Sequence, residues 1–186
     1  MLYLRGKCVI IGAQTVGKTS LSYALVAPRK EFPHIYQMTI VPELTVRNTI
    51  LQDIDANVEF LIYDYPGCSI HFDQFAKYIG TPNVFVLVFD VTDRSSFTAC
   101  KSWMEKINSG EKHPKIPGVL IGNKTDLVFR RKVEEDEARN YAEYLGIKYY
   151  ELSVKDARNL LEPFISLARE YYELYQISAN KFKELL

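Results

Sequence analysis

The chain has 186 residues, enough for one domain with a sizeable core. Lys+Arg and Asp+Glu both number 23, so the charge balance points to no nucleic-acid or membrane-surface partner. No apolar run reaches the roughly 18 residues of a membrane span, and the opening Met1-Leu2-Tyr3-Leu4-Arg5 lacks a signal-peptide pattern.

In chain order, residues 4–11 read as a first strand, apolar at Cys8-Val9-Ile10-Ile11, and residues 18–27 as a first helix. Pro28 and Pro33 bracket a loop. Residues 43–50 alternate with period two, as an edge strand with one wet face does. Residues 53–57 read as a turn and 58–63 as the next strand, paired with the previous one as a hairpin. The runs at 84–89 and 117–122 lack alternation, which marks central parallel strands covered on both faces. Between them, residues 95–109 carry Phe97, Trp103, Met104 and Ile107 at helical spacing. Residues 134–145 open on Glu134-Glu135-Asp136-Glu137, whose charge suits a helix N-terminus. A last strand is expected at 147–152 and a last helix at 158–175.

Strands alternating with helices, without linker or repeat, predict one doubly wound α/β domain. Its six-stranded, mostly parallel sheet carries helices on both faces. The domain is placed at 1–176, with a short tail at 177–186. In the last helix, Leu161, Phe164, Ile165, Ala168, Tyr172 and Tyr175 form the stripe expected to cover the sheet. Leu160, Leu167 and Leu174 widen it, either because the helix is deeply buried or because a surface is kept for a protein partner. The three cysteines, Cys8, Cys68 and Cys100, form no metal or C-x-x-C spacing, and a reduced intracellular compartment is expected.

Gly12-Ala13-Gln14-Thr15-Val16-Gly17-Lys18-Thr19 reads G-x-x-x-x-G-K-T between a strand and a helix, the phosphate-binding loop in its proper context. Its glycines let backbone N–H groups approach a polyphosphate where a helix dipole also favours negative charge. The expected nucleotide contacts run over Gln14, Thr15, Val16, Gly17, Lys18, Thr19 and Ser20. Lys18 is assigned to the β- and γ-phosphates and the Thr19 hydroxyl to Mg²⁺. Asp64-Tyr65-Pro66-Gly67 follows another strand; Asp64 is a candidate metal ligand, and the Gly67 amide a contact for a γ-phosphate. Asn123-Lys124-Thr125-Asp126 comes after the strand ending at Gly122. The Asp126 carboxylate matches the two donors on the guanine edge, which adenine lacks, and Lys124 has a stem long enough to lie over the base. Ser153-Val154-Lys155 offers a backbone N–H to the guanine O6.

In this order, the four motifs resemble the G motifs of the Ras superfamily and span nearly the whole chain. Asp90-Val91-Thr92-Asp93-Arg94-Ser95-Ser96-Phe97 is similar to the D-V-T-x-x-x-S-F run of Rab-type GTPases. Pro82-Asn83-Val84, Trp103-Met104-Glu105-Lys106, the run from Pro117 to Leu127, and Glu162-Pro163-Phe164 resemble the Rab-like GTPases of the intraflagellar transport B complex. The resemblance implies a Ras-like P-loop G domain binding GTP or GDP with Mg²⁺. It also implies a small β-sandwich partner subunit, further subunits of that complex, and a place in the cytoplasm and the cilium. It assigns Thr39 as the switch I metal ligand beside Thr19 and Asp64, and Phe32 as the aromatic on the guanine edge.

The chain departs from the family at several positions. Val41 stands where glycine is usual. Cys68 replaces the glutamine that orients the attacking water, and a thiol has no forked amide for that task. Asp64-Tyr65-Pro66-Gly67 is also similar to the D-x-P-G-H of translational GTPases, with Cys68 again at the key position and His71 three residues late. Gln14 adds bulk near the γ-phosphate. Both Cys68 and Gln14 lead to an expectation of weak hydrolysis with no catalytic side chain at that position. The chain ends Asn180-Lys181-Phe182-Lys183-Glu184-Leu185-Leu186, without a prenylation cysteine, so no direct lipid anchor is expected. Two rival readings are an ATP-dependent P-loop kinase and a non-switching scaffold subunit stabilised by its nucleotide.

Overall fold

Six strands form one sheet in the computed structural model, which describes residues 1–26, 38–68, 77, 79–108 and 116–184. They are β1 (Leu2–Ile11), β2 (Glu43–Leu51), β3 (Ala56–Asp64), β4 (Val84–Asp90), β5 (Gly118–Asn123) and β6 (Lys148–Glu151), in the spatial order β2-β3-β1-β4-β5-β6. Every neighbouring pair is parallel except β2–β3, the predicted hairpin. All residues of β4 and β5 are buried, because layers of helix cover both their faces. β2 alternates as expected of an edge strand, with Thr49 and Leu51 buried and Glu43, Leu44 and Val46 exposed.

The helices are α1 (Lys18–Val26), α2 (Arg94–Thr98), α3 (Cys100–Asn108), α4 (Glu135–Leu145) and α5 (Glu162–Glu184). On one face, Leu21 and Leu25 of α1 and Phe164, Leu167 and Ala168 of α5 close over Ile10, Phe60, Ile62 and Val86. On the other, Trp103, Met104, Ala138 and Ala142 close over Val9, Phe85, Leu87 and Leu120. Burial of apolar side chains on both faces, worth about 1.5–3 kcal/mol for each large one, holds the sheet as a rigid central layer. Arg47 ties the β2 edge to α1 by donating to Leu25 O at 2.7 Å, where a cation also suits the helix C-terminus.

Several predicted bounds shift. The helix expected at 95–109 starts at Arg94, because Asp93 caps it by accepting from Ser95 N at 3.0 Å, and it is interrupted at Ala99. Hydroxyls there bond back to carbonyls, Thr98 to Arg94 O and Ser102 to Ala99 O, which loosens the ladder. The turn at 53–57 is a single 3₁₀ turn, Gln52–Ile54, followed by Asp55 in the left-handed region, so β3 begins at Ala56. The last helix begins at Glu162 instead of 158, since Ala157 and Asn159 both take positive φ and Pro163 favours the first turn. It then runs past 175 to Glu184, with no glycine or proline to stop it.

Its covering stripe differs from the expected one. Phe164, Leu167 and Ala168 are its apolar residues buried on the sheet, together with Leu160 just before the helix and the half-buried Tyr171 and Tyr172. Leu161, Ile165 and Tyr175 are each at least 40% exposed. Leu161 and Ile165 instead line a groove with Arg47, Asn48, Thr49 and Ile50 of β2.

Candidate functional site

The loops that follow β1, β3, β5 and β6 leave the same end of the sheet, because those strands are parallel. That end brings together all the predicted site residues among those described. Phe32 and His71 lie outside the described residues.

The phosphate loop takes positive φ at Gly12 (145°), Thr15 (62°) and Gly17 (97°), in front of the α1 N-terminus, the backbone turn an anion-binding nest requires. Gln14 and Thr15 are exposed, Val16 is buried, and Ser20 is half-buried in the first turn of α1. Lys18 is only 6% exposed, and its Nζ donates to Ala13 O at 2.7 Å across the loop. Burial pushes its ammonium down to about 8, with the nearby Asp64 carboxylate acting the other way.

Thr19, Thr39 and Asp64 come from three separate segments and meet. Thr19 Oγ1 lies 2.8 Å from Thr39 Oγ1 and donates to Asp64 Oδ2. Asp64 is fully buried, and burial raises its carboxyl to about 6, although the bonds from Thr19 and the charge of Lys18 favour the ionised form. Among the described residues its Oδ1 has no hydrogen-bond partner. Two hydroxyls and a carboxylate with one uncommitted buried oxygen are a hard donor set that fits a divalent cation. Gly67 lies against the phosphate loop. A Cβ there would be 2.6 Å from the Cα and N of Gln14, backbone atoms that cannot yield. Cys68 beside it is a half-buried free thiol.

The base loops are built around Asn123, which is 2% exposed. Its Nδ2 donates to Val16 O at 2.8 Å, and its Oδ1 accepts from Val154 N at 3.3 Å, so one side chain joins the phosphate loop to the 153–155 loop. Gly17 makes this possible, since a Cβ would sit 2.4 Å from Asn123 Nδ2. Asp126 Oδ1 accepts from Ser153 Oγ at 2.7 Å, and Lys155 Nζ stands 4.0 Å from Asp126 Oδ2. Ser153 thus orients the Asp126 carboxylate, whose side chain is 11% exposed. Lys124 takes φ 69° and places its ammonium 2.6 Å from Asp90 Oδ2.

Sequence reasoning missed two of these contributions. It assigned the 153–155 loop a backbone role only, whereas the Ser153 hydroxyl orients Asp126. Asp90 was read as part of a family mark, and no local signal in the sequence linked it to Lys124.

Comparison with known proteins agrees with this geometry. The Ras family model matches residues 7–173. The intraflagellar transport protein 27 homolog of Homo sapiens is 37% identical over 185 residues, covering 100% of both chains. Intraflagellar transport protein 27 of Chlamydomonas reinhardtii is 30% identical over 185 residues, 97% of this chain and 91% of that one. The Ras-related protein RABF2b of Arabidopsis thaliana is 31% identical over 166 residues, 89% of this chain and 80% of its own.

Proposed function

The chain belongs to the Ras family, whose members bind guanine nucleotides, and on that premise we propose that it is a Rab-like GTP- and GDP-binding subunit of the intraflagellar transport B complex with weak GTP hydrolysis. The observation that carries the nucleotide reading is the Asn123 junction. One buried side chain couples the phosphate loop to the loops that bear Asp126 and Ser153, so polyphosphate and base are recognised by a single rigid unit. A carboxylate aimed at paired N–H donors selects guanine over adenine, because adenine would leave it desolvated and unpaired.

Thr19, Thr39 and Asp64 would hold Mg²⁺, which when bound neutralises charge on the phosphates. The uncommitted Asp64 Oδ1 supports that assignment. Lys18 supplies the fixed positive charge at the loop. Cys68 brings no amide to orient water, which supports slow turnover. The transport reading rests on full-length likeness to proteins named for intraflagellar transport. A partner subunit of β-sandwich type, implied by the family resemblance, is consistent with the uncovered apolar residues of α5 beyond the sheet: Leu174, Tyr175, Ile177 and Phe182 are 40–63% exposed.

The nucleotide reading is tested by equilibrium binding of fluorescent GDP and ADP to the purified chain. A preference for GDP by at least about a hundredfold is expected, and equal affinity, or a preference for ADP, would refute it. The transport reading is tested by tagging the protein in ciliated cells. It should enter the cilium and co-sediment with the transport complex; a tagged, functional protein that stays outside the cilium would overturn it.

A further inference from the structure

We propose that Asp90 is a positioning residue for base recognition, latching the Lys124 ammonium so that the lysine side chain is held ready over the base. The inference rests on the guanine-binding reading above and gives the D-V-T-x-x-x-S-F run a physical task.

Asp90 and Asn123 are the last residues of adjacent parallel strands and lie in register. Lys124 follows Asn123 with φ 69°, a conformation that side-chain-bearing residues rarely adopt and that needs outside support. Asp90 provides it. Its side chain is 8% exposed, and Oδ2 lies 2.6 Å from Lys124 Nζ. The other oxygen, Oδ1, accepts from Thr92 N at 2.8 Å and from Thr92 Oγ1 at 2.7 Å, so the carboxylate cannot rotate away. Asp90 N in turn donates to Ser96 Oγ at 3.0 Å, and Ser96 Oγ donates to Asp93 O at 2.7 Å. Asp90, Thr92, Asp93 and Ser96 therefore form one interlocked turn at the end of β4.

The consequence for binding is entropic. An unlatched lysine has four rotatable bonds and samples many rotamers; one held at its backbone carbonyl by Leu127 N and at its ammonium by Asp90 has few left to lose when a base arrives. The ion pair is partly shielded, with the Asp90 side chain 8% and the Lys124 side chain 31% exposed.

The test is stopped-flow release of fluorescent GDP from the full chain with Mg²⁺ present. Asp90→Asn is nearly isosteric and keeps an acceptor for Thr92, but loses the ion pair; release should accelerate about tenfold. Thr92→Val, at a half-buried position, removes only the Oγ1 donor to Asp90 and should accelerate release about threefold. In a Lys124→Ala background, Asp90→Asn should add nothing, because the group it positions is gone; an effect on folding alone would persist there. Direct binding of inorganic tripolyphosphate to the nucleotide-free chain, a ligand with no base, should be the same for wild type and Asp90→Asn. Wild-type release in Asp90→Asn, or an undiminished effect in Lys124→Ala, overturns the proposal. If Asp90→Asn does not fold, an unchanged rate in Thr92→Val overturns it. Wild type that fails to hold GDP while binding tripolyphosphate would instead sink the guanine reading, and this inference with it.

Discussion

Asn123→Ala tests whether the phosphate and base loops are one mechanical unit. Asn123 is 2% exposed, and the substitution removes a donor to Val16 O at 2.8 Å and an acceptor for Val154 N at 3.3 Å. Both backbone groups are then buried without partners, at about 1–3 kcal/mol for each group. The Val154 bond is long and contributes the smaller share, so a total loss of about 2–4 kcal/mol is expected. At about 2–4 °C per kcal/mol for a domain of this size, the melting temperature should fall by roughly 10 °C. GDP affinity should fall by about tenfold or more, since the two halves of the site lose their common strut. Urea denaturation gives the stability change, and fluorescent GDP titration the affinity. Asn123→Asp keeps the acceptor for Val154 but sets a carboxylate against the Val16 carbonyl, so it should be no better than alanine. A stability loss under about 0.5 kcal/mol, the range of an ordinary surface substitution, would refute the reasoning, as would wild-type behaviour in Asn123→Asp.

Further outcomes follow from the same geometry. Asp126→Asn should move preference from guanine toward xanthine nucleotides, because its amide can donate to the xanthine O2; unchanged selectivity in competition binding would mean that the base is read elsewhere. Chelation by EDTA should accelerate GDP release from the wild type, and Thr19→Asn should bind GTP more weakly than GDP; metal-independent release would remove the cation from the site. Single-turnover phosphate release should run at or below about 10⁻⁴ per second, with little change in Cys68→Ala; a faster rate that Cys68→Ala abolishes would make the thiol catalytic. Asp64, raised by burial to about 6 from an ordinary 3.8, contributes stability that is full below the ordinary value and lost as pH rises through 6. Without nucleotide or metal, wild type should therefore gain stability relative to Asp64→Asn between about pH 7 and about pH 5; parallel denaturation midpoints at the two pH values would contradict this.

Much of the fold was legible because its signals are local. Apolar runs at 84–89 and 117–122 are central strands, and the acidic opening of α4 is a helix N-terminus with Glu135, Asp136 and Glu137 in its first turn. The misreadings fall where longer-range contacts decide. Leu161, Ile165 and Tyr175 have the spacing of a buried stripe, yet they are exposed, because the rotation of α5 is set by Phe164, Leu167 and Ala168 meeting the sheet. Periodicity defines a helix face but not the angle at which a neighbour meets it. In a helix with apolar residues around half its circumference, several faces satisfy the same pattern.

The sequence by itself determined which residue types the site offers. Gly12–Thr19, Asp64–Gly67, Asn123–Asp126 and Ser153–Lys155 are short runs whose residue types and order carry the proposal of phosphate, cation and base contacts without reference to distance. Only the tertiary structure decided how those contacts are held. Asn123 reaches Val16 across 107 positions of chain, Thr19 reaches Asp64 across 45, and Asp90 meets Lys124 because β4 and β5 end side by side. Such partnerships depend on strand order and register, which are set by the burial of two whole faces of a sheet. No window of neighbouring residues contains that information.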